Sequence, residues 1–174
     1  MSFMDTGIVA VSKDGVIGVD GNLPWSRIPE DMAHFSHITM GQIVVMGKNT
    51  YYSLPEKHRP LKDRINVVLT HNKDIDYVYT LSPESFTDTC LKNLKVLHPQ
   101  KKIIFIGGRL VYQKASENEW IKRWYVTRIN YQALEDKHTS KNVTHWDEGF
   151  LKGFKLIERS PLGKTDHYLE VYER

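Results

Sequence analysis

Apolar positions in this chain fall into short continuous runs separated by turn residues, and such runs read as strands buried on both faces. Gly7 to Val11 (GIVAV) is the first, ending at Ser12. Gln42 to Gly47 (QIVVMG), Ile65 to Thr70 (INVVLT), Lys102 to Ile106 and Trp124 to Ile129 follow, with Tyr77 to Thr80 as a short candidate. Two stretches switch to helical spacing. Pro29 suits a first helical position because its missing N–H would be unpaired there anyway, and Met32, Phe35 and Ile38 then give that helix one apolar face. Ser82-Pro83-Glu84 reads as an N-cap followed by a helix start, with Phe86, Cys90, Leu94 and Leu97 on one side. Near the C-terminus, Phe154 to Arg159 and His167 to Glu173 flank a turn containing Pro and Gly. There Tyr168, Glu170 and Tyr172 alternate with Leu169, Val171 and Glu173, which predicts an antiparallel edge hairpin. Residues 130–147 are polar and predict no element. Strands alternating with helices, then strands alone, predict an α/β three-layer sandwich with a mostly parallel central sheet and an antiparallel C-terminal edge.

The breaks in this pattern carry the candidate chemistry. Between Lys13 and Trp25, Asp14-Gly15, Gly18 and Asp20-Gly21 interrupt the chain while Val16, Ile17, Leu23 and Trp25 keep it apolar. That combination suits a mobile loop covering a ligand, or else an ordinary long connection. Asp31 falls with Glu30 in the first turn of the predicted helix. It either complements the helix dipole or, if the apolar face closes over a pocket, is a lone acid able to pair with a flat nitrogen heterocycle. The residues alone weigh these two readings equally. Gly47-Lys48-Asn49-Thr50, at a strand end and helix start, offers exposed N–H groups to a phosphate. Gly107-Gly108 occupies the same kind of junction, where glycine permits close backbone approach to a ligand or simply a tight turn. The spacing is not GxGxxG, so no dinucleotide fingerprint of the Rossmann type is present.

Composition narrows the class. With 174 residues and 40% apolar content, one domain over residues 1–174 is expected. No run approaches the roughly 18 apolar residues of a membrane span. The N-terminus lacks the marks of a secretory signal, so a soluble, cytoplasmic protein is expected. The single cysteine, Cys90, excludes an internal disulfide framework and a multi-cysteine metal site, is expected in the core, and suits a reducing compartment. A net charge of +3 from 24 basic and 21 acidic residues is too mixed to imply nucleic acid. The basic stretch Lys57, Arg59, Lys62 and Arg64 is either a solvated loop or a receiver for an anionic substrate.

Taken together and in order, Ile8 to Val11, Gly15 to Trp25, the Asp31 helix, Val44 to Thr70, Ile106 to Tyr112, Val126 to Ile129 and Leu169 to Arg174 resemble the dihydrofolate reductase family. The stretch SLPEKHRPLKDRINVVL is similar to the eukaryotic branch, although Asp31 stands where that branch typically has glutamate. The resemblance implies reduction of 7,8-dihydrofolate to tetrahydrofolate, with hydride transfer from NADPH to C6 and a proton to N5. It implies that Asp31 binds the pterin, with Thr127 hydrogen-bonded behind it, Trp25 holding a water nearby, and a carboxyl pKa raised by burial. Ile8, Val9, Met32, Phe35, Leu54 and Leu61 would wall the substrate rings, and Arg64 would grip the carboxylate of the glutamyl tail. Ala10, Ile17 and Tyr112 would meet the nicotinamide, beside a cis-linked Gly107-Gly108 after Ile106. Arg109, Leu110 and Val111 would start a helix over the pyrophosphate. Gly47, Lys48, Asn49 and Thr50 would bind phosphates, with Lys48 near the 2′-phosphate. Leu69, Thr70 and His71 would complete the cofactor site, with His71 at a position the family reserves for a basic residue. Asp136 falls where the family has an acid supporting the lid, and a monomer is the default. Reductases of pyrimidine intermediates in riboflavin synthesis share this fold, but the Trp25 to Asp31 stretch and Arg64 speak against them. The rival from another class is a noncatalytic binding protein that kept the site.

Overall fold

A computed structural model describes residues 4–134 and 142–174. The apolar runs form an eight-stranded sheet. In chain order its strands are β1 (Thr6–Ser12), β3 (Ile43–Gly47), β4 (Ile65–Leu69), β5 (Tyr79–Leu81), β6 (Ile103–Gly107), β7 (Arg123–Ile129), β9 (Lys155–Pro161) and β10 (Tyr168–Glu173). A separate pair is made by β2 (Val16–Val19) and β8 (Val143–His145). The sheet order is β5-β4-β3-β6-β1-β7-β10-β9. All neighbours through β7 are parallel, whereas β10 runs antiparallel to β7 and β9 antiparallel to β10, which places the predicted hairpin at the edge.

Alternation along the strands sends successive side chains to opposite faces. Ile8, Val44, Met46, Val68, Ile104 and Ile106 pack on one face with Tyr51, Leu61 and the partly buried Phe35, Ile38 and Leu54. That face is covered by α1 (Pro29–Thr39) and α2 (Lys48–Ser53). Val9, Val11, Val45, Val67, Phe105 and Val126 pack on the other, under α3 (Asp88–Leu97) and α4 (Arg109–Glu117). The three layers match the expectation. Gly7 lies against Trp124 so closely that a Cβ there would sit 2.5 Å from the indole.

Several expectations need correction. The glycine-broken segment after β1 is not free loop throughout, because Val16–Val19 pairs with Val143–His145 from the stretch that predicted no element. Ser82 caps only a 3-10 turn, Pro83–Ser85, through a bond from the Ser85 N–H to its Oγ, and α3 begins six residues later. Phe86 is buried ahead of that helix, Leu91 and Leu94 are its buried residues, Cys90 is half-buried and Leu97 is exposed. The short strand runs Tyr79–Leu81, with Tyr77 at positive φ outside it. The predicted apolar face of α1 is only partly covered: Met32 is exposed, Phe35 and Ile38 are half-buried against the core, and Thr39 is the residue buried. Asp136 lies outside the described residues.

Candidate active site

The parallel strands β3 and β6 end together at Gly47 and Gly107 beside the longer β1, and ligand crevices form outside the carboxyl ends of such strands. Three glycines meet there. A Cβ on Gly47 would lie 3.7 Å from the Gly108 nitrogen, and one on Gly107 would lie 3.3 Å from both Thr50 Oγ1 and Tyr112 OH. Gly107 has φ +126, which side chains rarely adopt, and it joins Gly108 through a cis peptide. Gly108 is the N-cap of α4 and Gly47 that of α2, neither with a side-chain cap, so backbone N–H groups face the crevice. The lack of Cβ atoms leaves a cradle whose floor is backbone. This donor set suits an anion-bearing planar cofactor.

Tyr112 holds the floor. Its phenol donates to the Ile8 carbonyl at 2.6 Å, across 104 residues of sequence, and is buried. Burial pushes its pKa far up, so the hydroxyl stays a donor.

On the α1 face of the sheet stands Asp31. Pro29 opens the helix, and Glu30 and Asp31 occupy its first turn as anticipated. Burial raises the Asp31 carboxyl above its usual range, opposed by a side-chain hydrogen bond with Thr127 and by the charge of His167. Thr127 is buried in β7, opposite Ala10 on one side and Leu169 on the other. Trp25 is buried near the helix start. One turn beyond Asp31, His34 stacks edge-on against Tyr125 at 5.6 Å, and burial, helped by His37, pushes its pKa down.

Arg64 follows the Arg59–Pro60 cis bond and reaches α1, donating to Ser36 Oγ at 3.2 Å and to the Lys62 carbonyl at 3.0 Å. Its Nε is buried with no hydrogen-bond partner among the described residues. Burial lowers the guanidinium pKa, opposed by Asp63. Asn66 braces the loop before it, bonding both the N–H and the carbonyl of Leu61 at 2.9 Å. A half-shielded guanidinium with an unused donor is suited to a carboxylate.

The structure brings Ile8, Phe35, Leu54 and Leu61 into one cluster, but the Val9 side chain belongs to the opposite face. Val9 can meet a ligand on the Asp31 side only through its backbone, because neighbouring residues in a strand point oppositely. Met32 is exposed at the helix surface. Ile17 is partly buried against the α4-side cluster. Lys48 and Asn49 are exposed, Leu69 and Thr70 buried, and His71 is exposed with its Nε2 3.5 Å from Glu84. Arg109 directs its side chain to the His145 carbonyl at 3.1 Å, away from an expected pyrophosphate, which leaves its backbone for that task. Leu110 is exposed, and Ile106 and Val111 are buried.

Sequence reasoning missed Asp14, whose carboxylate accepts from Ser12 Oγ at 2.6 Å and from the Ala133 and Leu134 N–H groups at 2.9 and 2.8 Å. Although burial works the other way, these bonds hold Asp14 below its usual pKa. Together with β2–β8 pairing and the Trp146 N–H to Gly15 carbonyl bond, they tie the segment after β1 to Ala133, Leu134 and β8. The Ser12-x-Asp14 pair before Gly15 was the available signal.

A sequence model of dihydrofolate reductase matches residues 5–169. The chain is 34% identical to a viral dihydrofolate reductase of Saimiriine herpesvirus 2 over 88% of this chain and 73% of that protein. It is 35% identical to a dihydrofolate reductase of Gallus gallus over 96% and 94%, and 31% identical to one of Heliothis virescens over the full length of both.

Proposed function

The chain belongs to the dihydrofolate reductase family and reduces 7,8-dihydrofolate to 5,6,7,8-tetrahydrofolate with a nicotinamide cofactor, and on that premise we propose how its residues divide the work. Asp31 anchors the pterin, accepting from its amino group and ring N3–H as two parallel hydrogen bonds. The observation that carries this is a half-buried carboxyl in the first turn of α1, hydrogen-bonded to Thr127 of β7. Burial raises its pKa above the usual carboxylate range, and it promotes protonation of N5 through water held by Trp25. NADPH, when bound, would supply the hydride for C6.

Ile8, Phe35, Leu54 and Leu61 form the apolar wall for the flat rings. Arg64, with Nε unused, grips the carboxylate of the glutamyl tail. Gly47, Gly107 and Gly108 let backbone N–H groups approach the cofactor, with Thr50 and Tyr112 shaping the cradle. Lys48 distinguishes the 2′-phosphate, while Glu84 competes with that phosphate for His71. The protein works as a cytoplasmic monomer.

Dihydrofolate-dependent NADPH oxidation by the purified protein is expected, and its absence would overturn the reading. Lys48→Ala is expected to weaken NADPH more than NADH; equal weakening would remove Lys48 from the 2′-phosphate.

A further inference from the structure

The side chain of Arg109 has no part in the scheme above, although its backbone opens α4 at the cradle. Its half-buried guanidinium donates to the His145 carbonyl at 3.1 Å, a contact spanning 36 residues of sequence. His145 ends β8, where it is the register partner of Val16. The next residue, Trp146, donates its N–H to the Gly15 carbonyl at 2.8 Å, and the Asp20 N–H bonds the Asn142 carbonyl at 2.9 Å. Residues 15–20 and 142–146 are thus one unit, bonded at both ends and paired between them.

That unit meets α4 in two ways. One is the Arg109 bond to His145. The other is the buried Trp146 indole, which lies edge-on to Tyr112 of α4 at 6.1 Å and to Trp124 at 5.1 Å. Ile17 packs against the same cluster. Between α4 and the 3-10 turn Glu148–Leu151 that follows the unit, a cleft of about 360 Å³ is lined by Arg109, Ser116, Asp147 and Phe150. The guanidinium therefore bridges the edge of an open cleft and not a packed seam.

We infer that the Arg109 side chain is a positioning residue for the cofactor: by tying β8 to the first residue of α4, it makes the ordering of residues 15–20 and the holding of the cofactor's phosphates by the α4 N-terminus favour one another. This rests on the reading of Gly107, Gly108 and the start of α4 as the cofactor cradle. The first turn of α4 has no side-chain cap, so its N–H groups depend on neighbours to hold them in place. A first turn already pinned to His145 loses less freedom when an anion arrives, and an anion that orders the turn holds the guanidinium against His145. Each event therefore stabilises the other by the same factor.

The test measures amide hydrogen exchange by NMR and NADPH dissociation by stopped-flow fluorescence in the wild type, R109M and R109K. Methionine keeps an apolar stem and removes the donor, whereas lysine keeps a donor of similar reach. In cofactor-free R109M the Trp146 and Asp20 amides exchange about fivefold faster, while the Leu91 amide, bonded to the Thr87 carbonyl at 3.0 Å in α3, keeps its rate. NADPH leaves R109M about fivefold faster than it leaves the wild type, and it slows the Trp146 amide less. R109K restores both. Unmoved Trp146 exchange in cofactor-free R109M overturns the inference, because the guanidinium then acts only as a charge near the phosphates. Acceleration shared equally by Leu91 overturns it as a global loss of stability. Faster Trp146 exchange with unchanged NADPH dissociation overturns the link to the cofactor. A wild type that fails to bind NADPH overturns the cradle reading itself, and this inference with it.

Discussion

Removing one oxygen from Tyr112 isolates the contribution of the cradle floor. The β1–β6 ladder runs only over Thr6↔Ile104 and Gly7↔Phe105, and beyond it the Ile8 carbonyl accepts the Tyr112 hydroxyl at 2.6 Å. Tyr112→Phe keeps the ring and its edge contacts with Trp124 and Trp146, whose centroids lie 5.4 and 6.1 Å away. What is lost is the donor, and a buried acceptor left unpaired costs about 1–3 kcal/mol. The full burial of the hydroxyl and its short bond favour the middle of that range or above, about 2 kcal/mol. For a chain of this size that corresponds to a fall in Tm of about 4–8 °C. The free energy should be measured by urea denaturation monitored by tryptophan fluorescence, with the slope m checked for constancy, and Tm by calorimetry. A loss below about 0.5 kcal/mol would refute the reasoning, because it would mean that water or backbone adjustment satisfies Ile8 without the phenol. The same variant should weaken NADPH binding, since the hydroxyl also lies against the space beside Gly107.

Asp31→Asn should cut the rate of dihydrofolate reduction roughly 100-fold or more, while raising stability at neutral pH. The sign follows from burial: the folded protein holds the Asp31 proton more tightly than the unfolded chain, so the favourable contribution present at low pH is lost as pH rises through the ordinary carboxylate range to the raised value. The stability advantage of the variant should therefore shrink as pH falls; an advantage that grew toward acid would contradict the raised pKa. Gly7→Ala should destabilise by about 3 kcal/mol, because its Cβ would meet the fully buried Trp124 at 2.5 Å; unchanged urea midpoints would contradict that packing. Asp14→Ala should speed hydrogen exchange at the Ala133 and Leu134 amides about fivefold, from loss of about 1 kcal/mol per bond, and unaltered exchange would show that the segment is held by β2–β8 pairing alone.

The five buried strands were legible in the sequence because each is a continuous apolar run rich in β-branched residues, and a strand inside a parallel sheet needs nothing else locally. Pro29 and the acidic pair after it likewise placed the start of α1, since capping chemistry acts within one turn. The edge hairpin showed in the alternation of Tyr168 to Glu173. Residue patterns alone left Asp31 balanced between a helix-dipole role and a ligand role; family resemblance tilted that balance, and the tertiary structure supplied the burial and Thr127 partner that perturb it. Strands as short as Val16–Val19 and Val143–His145 carry too little periodicity to announce themselves, and each exists through its pairing with the other. Phe86 joined the core outside its expected helix because local Ser82 capping closed a 3-10 turn first. Whether Val9 or Ile8 faced Asp31 depended on the strand's orientation in the sheet, which alternation by itself leaves free. Asp14 and Ser36 acquired their roles from partners distant in sequence. Local chemistry thus determined which segments become strands and helices, and the tertiary structure decided which side chains share a face, because that depends on sheet order and register.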